Sequence, residues 1–351
     1  MHLARQFHAE GNKVSLVTFR PGGALSGELG LSGICQKSLQ PLDTSLNFLA
    51  PGLLRTIDRD RPDVILCMGR MANCYAGLLQ ILFPRIAVVG SVRTGKSLPA
   101  MNKWSLRRVS GVITNTDWWR YRLVELGIDP GKIAVVANGL TRSWSLADQA
   151  AARDRARKAM GLAESTVVFL NVAEFRNGKR HARLIEFFST LESDWDWRLW
   201  LVGQGREWQR CRDLADRLGS DRICLAGHAN DPFAWYSAAD VAVSASSEDA
   251  LPNFLVEAQS LGLPVIATEF QGVCEALQHG ETGYLVPASD PRVFREAVEE
   301  LYLDTTRRQW MSQRAKAFAA ERFCSNLQGV KALDALKSFR LRHLGLAGSY
   351  A

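Results

Sequence analysis

The chain has 351 residues, of which 47% are hydrophobic and 23% are charged, and its formal net charge is +7. This length suits about two domains of roughly 100–200 residues, with ample core for both. The seven cysteines form no C-x-x-C pair, which is typical of a reduced compartment and excludes a disulfide-stapled secreted domain.

Membrane-spanning and metal-binding classes are also excluded at this level. The most apolar region, Met71 to Val89, is interrupted by Pro84 and Arg85, and it is too polar for the roughly 20 apolar residues of a spanning helix. The histidines show no H-E-x-x-H or comparable spacing, so we expect no metal site. No leader-type segment is recognisable, and we therefore expect a cytoplasmic protein.

Short Val/Ile/Leu runs alternate with helical stretches, which predicts an α/β fold with parallel, doubly wound sheets. In the first half the predicted strands are Val14–Thr18, Val64–Cys67, Ile86–Val89, Gly111–Thr114 and Lys132–Val136. Asn138-Gly139 then ends a first domain, placed at 1–140. The segment 141–164 is predicted to be a linker and a lead-in helix, and 165–324 a second domain.

The first predicted sheet lacks a strand at its start. Met1 to Glu10 has the pattern of the second half of an amphipathic helix, and the strand Val14–Thr18 follows directly. Because the first strand of a doubly wound sheet is usually central, its absence would leave an open slot with unpaired backbone edges. We therefore expect either ~20–30 natural residues upstream of Met1, or another segment or chain in the slot.

Positive charge is concentrated in the first domain. Through residue 140 the chain has 17 Lys and Arg against 9 Asp and Glu, and no acidic residue occurs from Val64 to Thr116. This stretch combines Leu98, Met101 and Trp104 with basic residues, which are Arg70, Arg85, Arg93, Lys96, Lys103, Arg107 and Arg108. Such a mixture suits an anionic bilayer or a phosphate-linked acceptor. Nucleic acid would also suit the charge, but no nucleic-acid-binding motif accompanies it, so we expect none.

An alternative function rests on the segment from Gly90 to Ser97, GSVRTGKS, which satisfies the P-loop pattern G-x-x-x-x-G-K-S. In a P-loop, backbone N–H groups cradle phosphates and the lysine reaches the outer ones. Pro99 would fall in the first turn of the following helix, and no strand ends in a clear magnesium-binding Asp. These two observations speak against a P-loop, and a P-loop nucleotide-binding or nucleic-acid-binding protein is kept only as the alternative function.

In the second half, glycines and basic residues follow predicted strands. The strand Val167–Val172 precedes Arg176 and Lys179, and a helix is predicted over Arg183–Leu191. The later strands Arg198–Val202 and Ile223–Ala226 are followed by Gly203-Gln204-Gly205 and by Gly227-His228. The basic residues could equally be a solvated helix start. Asp194-Trp195-Asp196 mimics a D-x-D metal motif, but it precedes a strand and is predicted to be a turn.

The segment from Ser244 to Pro287 is the most informative. A strand over Val241–Ala245 leads through a polar loop to a helix that begins near Pro252, whose missing N–H is harmless in a first turn, and that ends at Gly262. Glu257 lies about 60° from Phe254 and about 40° from Leu261 around this helix, at the edge of its inward face. A carboxylate there could accept from ribose hydroxyls, and the helix N-terminus suits a diphosphate. The alternative is a structural salt bridge.

The same segment resembles the family-4 retaining glycosyltransferases. Their signature is an acid, seven residues and Glu-Ala, then small-Gly-x-Pro-Val, a Glu, and Gly-x-x-Gly-x-Leu-Val. This chain supplies it with Asp249, Glu257-Ala258, Gly262-Leu263-Pro264-Val265, Glu275 and Gly280-Glu281-Thr282-Gly283-Tyr284-Leu285-Val286. In the family the first acid is normally Glu followed by Gly, where this chain has Asp249 and Ala250; Glu248 is an alternative for that acid.

This resemblance implies two Rossmann-like domains facing a cleft, the GT-B architecture, with a metal-independent, retaining transfer from a nucleotide diphosphate sugar and no cofactor. The final helix, roughly Ser325 to Arg342 within 325–351, would cross back to the first domain. The catalytic candidates are Lys179, Arg176 and Asp249. The donor-binding candidates are Glu257, Gly203, Gly205, His228, Leu251, Pro252, Asn253 and Arg93. The implied acceptor is a lipid- or phosphate-linked glycan of cell-envelope polysaccharide or lipopolysaccharide assembly, at the cytoplasmic face of a membrane.

Overall fold

A computed structural model gives the fold of the chain and describes residues 2–22, 33–140 and 146–346. The chain divides into two compact units. Unit 1 consists of Met1–Arg93, Ser97–Thr141 and Ser325–Ala351, and unit 2 consists of Thr94–Lys96 and Arg142–Cys324. Both units are Rossmann-like α/β structures built on parallel strands. No helix in the described part of the chain is long and apolar enough to span a membrane.

Unit 1 carries six strands and six helices among its described residues. The strands are β1 (Ser15–Thr18), β2 (Cys35–Ser38), β3 (Val64–Met68), β4 (Ala87–Val92), β5 (Gly111–Thr114) and β6 (Ile133–Val135). The helices are α1 (His2–Ala9), α2 (Leu53–Asp60), α3 (Arg70–Leu82), α4 (Ala100–Leu106), α5 (Asp117–Glu125) and α13 (Ser325–His343), with a 3-10 turn at Pro130–Lys132. The strand β2 was missed by the sequence analysis, because CQKS lacks the apolar alternation that marks a half-buried strand.

The strands of unit 1 form two separate sheets among the described residues. Strands β3 to β6 pair in chain order in one parallel sheet, whereas β1 and β2 pair only with each other. The register sets Ser15 opposite Cys35 and Val64 opposite Ala87. A continuous first sheet, which would have contradicted the expected open slot, is not present in these described ranges.

Helix α13 completes the core of unit 1. Its residues Ala332, Leu336 and Phe339 are buried against Val89 of β4 and Ile113 of β5. At the start of β5, Gly111 has no side chain because a Cβ there would lie 2.3 Å from the Phe339 ring. The last helix of the chain is therefore packed against the central strands of the first sheet.

Unit 2 carries a six-stranded sheet. Its strands are β7 (Val167–Val172), β8 (Trp197–Val202), β9 (Ile223–Gly227), β10 (Val241–Ser244), β11 (Val265–Thr268) and β12 (Gly283–Val286). Its helices are α6 (Leu146–Ala159), α7 (His181–Phe188), α8 (Trp208–Leu218), α9 (Phe233–Ala238), α10 (Asn253–Ser260), α11 (Pro291–Leu303) and α12 (Thr305–Arg322), with 3-10 turns at Asn177–Lys179 and Gln271–Glu275. The near-continuous burial of β7, β8, β10 and β11 is typical of parallel strands covered on both faces.

The strand order of unit 2 contains a topological switch point. The order is β12-β11-β10-β7-β8-β9, so the chain proceeds from β7 to one side and then crosses to β10 on the other side. The loops that follow β7 and β10 therefore lie next to each other at the carboxyl edge of the sheet, on either side of the switch point. Ligands of open α/β sheets bind in the crevice that such loops leave.

A buried network holds β10 next to β7. Asp240, immediately before β10, accepts from Val168 N at 2.8 Å, from Arg153 Nη2 at 2.6 Å and from Arg157 Nη1 at 3.2 Å. Arg157 is only 6% exposed and also donates to carbonyl oxygens of Ala238 and Thr166. A buried guanidinium is tolerated when its donors are satisfied in this way, so removing the carboxylate leaves an uncompensated charge.

We expect Asp240→Ala to lower the free energy of unfolding of unit 2 by about 3–5 kcal/mol, because Arg157 stays buried without its carboxylate. Urea unfolding followed by tryptophan fluorescence measures the change. The matched control is Asp154→Ala on the exposed side of α6, with an effect within about 0.5 kcal/mol. Equal stability of the two variants would contradict the role of the network.

Candidate functional site

The candidate site lies at the switch point of unit 2, where the loops after β7 and β10 meet. Ser247 N donates to Gly178 O at 2.9 Å and so ties one loop to the other. A Cβ at Gly178 would lie 2.3 Å from Glu248 Cγ, so a larger residue here would displace the Glu248 side chain. From β11, Thr268 Oγ1 donates to Ser246 O at 2.7 Å. The two loops are thus fixed before any ligand arrives.

Two ion pairs join these loops. Lys179 Nζ lies 2.6 Å from Asp249 Oδ2, with side chains 13% and 24% exposed. Arg176 pairs with Glu248 through a hydrogen bond from Nη1 to Oε1. The structure therefore brings together all three residues predicted as catalytic, and it adds Glu248 as the partner of Arg176. The arrangement places two cations and two carboxylates at the carboxyl edges of neighbouring strands.

Helix α10 follows the second loop and begins at Asn253, one residue later than predicted, with Pro252 at the N-cap position and no side-chain cap. The preceding Leu251 is 3% exposed and anchors the loop in the core. Glu257, one turn into the helix, is half-buried, and its Oε2 accepts a hydrogen bond from Tyr236 Oη at 2.8 Å. Since Tyr236 is fully buried in α9, it holds one carboxylate oxygen in place.

The predicted glycines lie where backbones approach closely. Gly203 and Gly205 have φ values of +142° and +155°. A Cβ at Gly203 would lie 2.0 Å from Ala173 O, and one at Gly205 would lie 2.3 Å from Phe175 O. Only glycine fits at these two positions, because any side chain would collide with the carbonyl oxygens. His228, after β9, is exposed, and its Nε2 lies 3.1 Å from Asn230 Oδ1.

His181, at the first position of α7, is a buried histidine beside the ion pairs. Its ring stacks on Phe175 with centroids 3.9 Å apart and 4° between the planes, and neither ring nitrogen has a hydrogen-bond partner among the described residues. Burial, followed by the nearby charge of Lys179, lowers the pKa of His181 to about 3. The residue is therefore neutral at physiological pH and packs as an aromatic ring.

Arg93 belongs to unit 1, not to the residue set of the switch point. It follows β4 directly, and its Nη1 donates to Asn138 Oδ1 at 3.1 Å. The same segment does not form the P-loop of the alternative function. Gly90 and Ser91 lie inside β4, and the next helix starts only at Ala100. A phosphate-cradling loop requires a turn at the first glycine and a helix at the lysine, so this pattern is fortuitous.

The D-x-D pattern also lies away from the candidate site. Asp196 immediately precedes β8, at the amino edge of the sheet, and its Oδ2 accepts from Thr166 Oγ1 at 2.6 Å. Its backbone N–H donates to Tyr302 Oη. The segment therefore has a structural role, as the turn prediction indicated. Within the described ranges, no group of three or more His, Cys, Asp or Glu could hold a metal ion.

Comparison with known proteins assigns the chain to a family. The family model described as "Glycosyl transferases group 1" matches residues 152–318, and the model described as "Glycosyltransferase Family 4" matches residues 1–143. Together the two matches take in both units. The chain belongs to the family-4 glycosyltransferases of GT-B architecture.

Two curated relatives show the range of similarity. The chain is 28% identical over 170 residues to N-acetyl-alpha-D-glucosaminyl L-malate synthase of Bacillus anthracis, covering 48% of this chain and 45% of that protein. It is 27% identical over 257 residues to the lipopolysaccharide core biosynthesis glycosyltransferase LpsE of Rhizobium meliloti strain 1021, covering 73% and 70%. With several curated relatives, the alignment spans only about half of the relative's length.

Solved structures share the fold. The crystal structure of Anabaena Alr3699/HepE in complex with UDP aligns with a TM-score of 0.80 at 20% identity, covering 96% of this chain and 95% of that one. WaaG, a glycosyltransferase involved in lipopolysaccharide biosynthesis, aligns with a TM-score of 0.73 at 16% identity over 96% and 94%. At such identities the likeness establishes the GT-B fold of this glycosyltransferase.

Three residues at the site escaped sequence reasoning in whole or in part. Glu248 had been considered only as a substitute for Asp249, whereas it pairs with Arg176. Tyr236 and His181 were not singled out, although each contacts a predicted site residue or its loop. His181 had a usable signal, since it directly follows the basic stretch. Tyr236 had none, because its contact with Glu257 joins different helices.

The buried His181 generates a pH prediction. The unfolded chain protonates this histidine at its ordinary pKa of 6.5, whereas the folded pKa is about 3, so the unfolded state binds more protons between these values. The free energy of unfolding therefore falls as pH drops below about 6.5 and is unaffected well above it.

From pH 7 to pH 5 we expect the wild type to lose about 2 kcal/mol more stability than His181→Phe, which retains an aromatic ring against Phe175. Urea unfolding at both pH values measures the difference. The control His228→Phe alters an exposed ring and should behave as the wild type. Parallel losses in wild type and His181→Phe would show that His181 is not the titrating group.

Proposed function

We propose that this chain is a retaining, metal-independent glycosyltransferase that moves a sugar from a nucleotide diphosphate sugar to an acceptor hydroxyl. The observation that carries the proposal is the pairing of Arg176 and Lys179 with Glu248 and Asp249 at the switch point. In open α/β sheets, ligands bind in the crevice at the topological switch point. The solved relatives in complex with UDP or UDP-glucose support a nucleotide sugar as the donor.

The two cations would bind the donor diphosphate. Lys179 pairs with Asp249, and Arg176 pairs with Glu248 and lies 3.9 Å from Glu174 Oε2, which keeps both cations in position at the crevice. A diphosphate carries more charge than one carboxylate and accepts from both cations and from the N-terminus of α10. The charge on the leaving diphosphate grows in the transition state, so these groups stabilise that state more than the bound donor. Arg176, Lys179 and the N-terminus of α10 would thus replace the divalent metal ion that binds the diphosphate in metal-dependent glycosyltransferases.

When the two cations bind phosphate, the carboxylates that had paired with them would become available for a second role. Once Lys179 contacts phosphate, Asp249 is free to accept from sugar hydroxyls near the reacting carbon. The family chemistry implies no nucleophilic side chain of the enzyme. The acceptor hydroxyl would therefore attack the sugar directly, on the face from which the diphosphate departs. The configuration of the donor sugar is then retained.

Glu257 would bind the ribose of the donor. Tyr236 donates to one of its oxygens, which fixes the rotamer and orients the other oxygen. Ribose hydroxyls then donate to a preorganised carboxylate in charge-assisted bonds. Gly203, Gly205 and His228 follow the neighbouring strands β8 and β9, where they would line the phosphate and base ends of the nucleotide.

The biological setting we propose is cell-envelope polysaccharide or lipopolysaccharide assembly. Relatives are named for lipopolysaccharide core biosynthesis and for capsular polysaccharide biosynthesis. The names of other relatives contain L-malate and D-inositol 3-phosphate, both of which are anions. The acceptor of this chain would likewise be a lipid- or phosphate-linked glycan, reached from the cytoplasmic side.

Unit 1 presents a basic and apolar face that fits an anionic bilayer. On α3, the residues Leu78, Ile81 and Leu82 are 45%, 55% and 48% exposed. On the adjoining α4, Met101 and Trp104 are 56% and 37% exposed, and a Cβ at Gly77 of α3 would meet Ser105, so the two helices touch. Basic residues adjoin these helices in the chain: Arg85 comes just after α3, Lys103 lies in α4, and Arg107 and Arg108 follow α4, with Arg108 Cζ 4.3 Å from the Trp104 ring centroid. We call the exposed apolar residues and these basic residues the α3–α4 face. Peripheral docking would bring the enzyme to its lipid-linked acceptor.

A donor-binding measurement tests the function. Thermal-shift screening with UDP-, GDP- and dTDP-sugars should reveal one class that raises the melting temperature by mass action. For that donor we expect Glu257→Ala to weaken binding about 10- to 150-fold, or about 1.5–3 kcal/mol, as charge-assisted ribose bonds are lost. The matched control is Glu186→Ala on the exposed side of α7. Product analysis of the anomeric configuration then tests retention, and stabilisation by none of the three classes would defeat the proposal.

Liposome sedimentation tests the α3–α4 face. The protein should bind vesicles that contain anionic lipid, should be released by salt, and should not bind neutral vesicles. Arg107→Ser with Arg108→Ser should weaken anionic binding by about 1 kcal/mol per residue. A control pair, Arg210→Ser with Arg292→Ser, removes two exposed charges from unit 2. Equal loss in both double variants would mean that net charge, not this face, controls docking.

A further inference from the structure

A cavity of about 270 Å³ lies in unit 1, at the amino edge of the β3–β6 sheet. Ser110 and Lys132 line it immediately before β5 and β6. Arg108, just after α4, and His343, the last residue of α13, line it as well. None of the described residues that line it is acidic. Ligands of open α/β sheets usually bind at the opposite, carboxyl edge, so the transfer reaction proposed above makes no use of this cavity.

The wall that His343 forms is fixed by the protein itself. His343 Nδ1 lies 3.0 Å from Ser110 Oγ, and His343 Nε2 lies 2.8 Å from Pro84 O. Ser110 Oγ in turn donates to Gln80 Oε1 at 2.6 Å. Because both ring nitrogens have partners inside the protein, this histidine positions the end of α13 and leaves the binding of a ligand to the other cations.

Two arginines near the cavity are also used by the protein. Helix C-termini carry negative partial charge, so cations near them are often structural. Arg340 Nη1 donates to the carbonyl oxygen of Arg85, and Arg342 Nη1 donates to that of Gly131. Arg340 Nη2 also lies 3.2 Å from Asp63 Oδ1. These contacts explain both arginines without a ligand.

Lys132 and Arg108 lack such an explanation. Lys132 is half-buried, and its Nζ has no hydrogen bond or ion pair within the described ranges. Arg108 is exposed and pairs with no described carboxylate. Its Nη1 donates to Trp104 O at 3.1 Å, and its guanidinium lies 4.3 Å from the Trp104 ring centroid, which orders the group. Like charges that line one cavity repel each other, and an anion between them would turn this repulsion into attraction.

The cavity adjoins the α3–α4 face. Arg108 belongs to both, and the exposed Ile81 and Leu82 of that face lie in the chain between Gln80 and Pro84, which line the cavity. A lipid would therefore place its headgroup in the cavity while the apolar residues of the face contact the same bilayer. A soluble anion would use the cavity alone. This contiguity favours a lipid as the occupant.

We propose that the cavity binds the phosphomonoester headgroup of a membrane lipid through Lys132 and Arg108. A phosphomonoester carries a charge of about −1.5 to −2 at neutral pH and three acceptor oxygens, so it can pair with both cations at once. A phosphodiester carries less charge and fewer free oxygens. The inference rests on the membrane docking proposed for the α3–α4 face. It adds a preference among anionic lipids, which attraction to a charged surface alone does not give.

Vesicle sedimentation of the full chain tests this preference. Phosphatidate supplies a phosphomonoester and phosphatidylglycerol a phosphodiester, and the two kinds of vesicle are matched in total surface charge. We expect the protein to bind phosphatidate vesicles about 10- to 100-fold more tightly, because the hydrogen bonds to Lys132 and Arg108 are charge-assisted. Soluble glycerol 3-phosphate carries the same headgroup, so an excess of it should reduce the preference.

Substitution of Lys132 separates the cavity from the α3–α4 face, to which this lysine does not belong. Lys132→Gln should lower binding of phosphatidate vesicles to the level of phosphatidylglycerol vesicles, whereas Lys132→Arg keeps the charge and should retain the preference. The control Lys331→Gln removes an exposed charge from α13 and should behave as the wild type. Since Lys132 Nζ has no partner in the described part of the protein, neither Lys132 variant should melt at a lower temperature.

The contrary outcomes can be told apart. Equal binding of the two charge-matched vesicles by the wild type would overturn the inference and leave the docking proposal intact. An undiminished preference in Lys132→Gln would place the phosphomonoester site outside this cavity. Binding of glycerol 3-phosphate that depends on Lys132, without a preference between vesicles, would make the cavity a site for a soluble phosphate ester. Failure to bind either vesicle would defeat the proposed docking together with this inference.

Discussion

The candidate site depends on Asp240, because this one carboxylate fixes β10 beside β7. It accepts from the backbone of β7 and from two arginines of α6, so the strand pair on either side of the switch point is tied at its amino edge. At the carboxyl edge, the loops that follow the two strands meet. At the amino edge, three donors satisfy the single Asp240 carboxylate, whereas at the carboxyl edge Lys179 and Arg176 pair with carboxylates of the facing loop.

The ion pairs at the carboxyl edge of the unit 2 sheet connect loops, whereas Asp240 connects strands. Lys179 with Asp249 and Arg176 with Glu248 join two loops that are also tied by backbone. Pairing keeps the cations ordered and limits their mutual repulsion, and the proposed function requires them to exchange these carboxylates for a diphosphate. A preorganised set of charges stabilises a developing charge more than flexible side chains do, because no reorganisation is needed during the reaction.

Much of the fold could be predicted from the sequence because most strands are short apolar runs between punctuating residues. The bounds of β5 and β7 agree with the predictions, and the bounds of the other predicted strands differ by one to three residues. The helix with Glu257 on its edge was found for the same reason. The strand β2 was missed because its sequence is polar, and Tyr236 because contacts between distant helices leave no local pattern. The pairing of Arg176 with Glu248 also depends on the three-dimensional meeting of two loops.

The position of α13 has a consequence for synthesis in the cell. Unit 2 is nearly continuous in sequence, whereas unit 1 needs both the first 141 residues and the helix from Ser325 onward. The apolar faces of β4 and β5 that receive Ala332, Leu336 and Phe339 thus stay uncovered while the ribosome makes the intervening chain. At about 5–20 residues per second, that interval lasts on the order of 10–40 s. Unit 2 can complete its fold during this time. Unit 1, although most of it is synthesised first, is then the last unit to complete its fold.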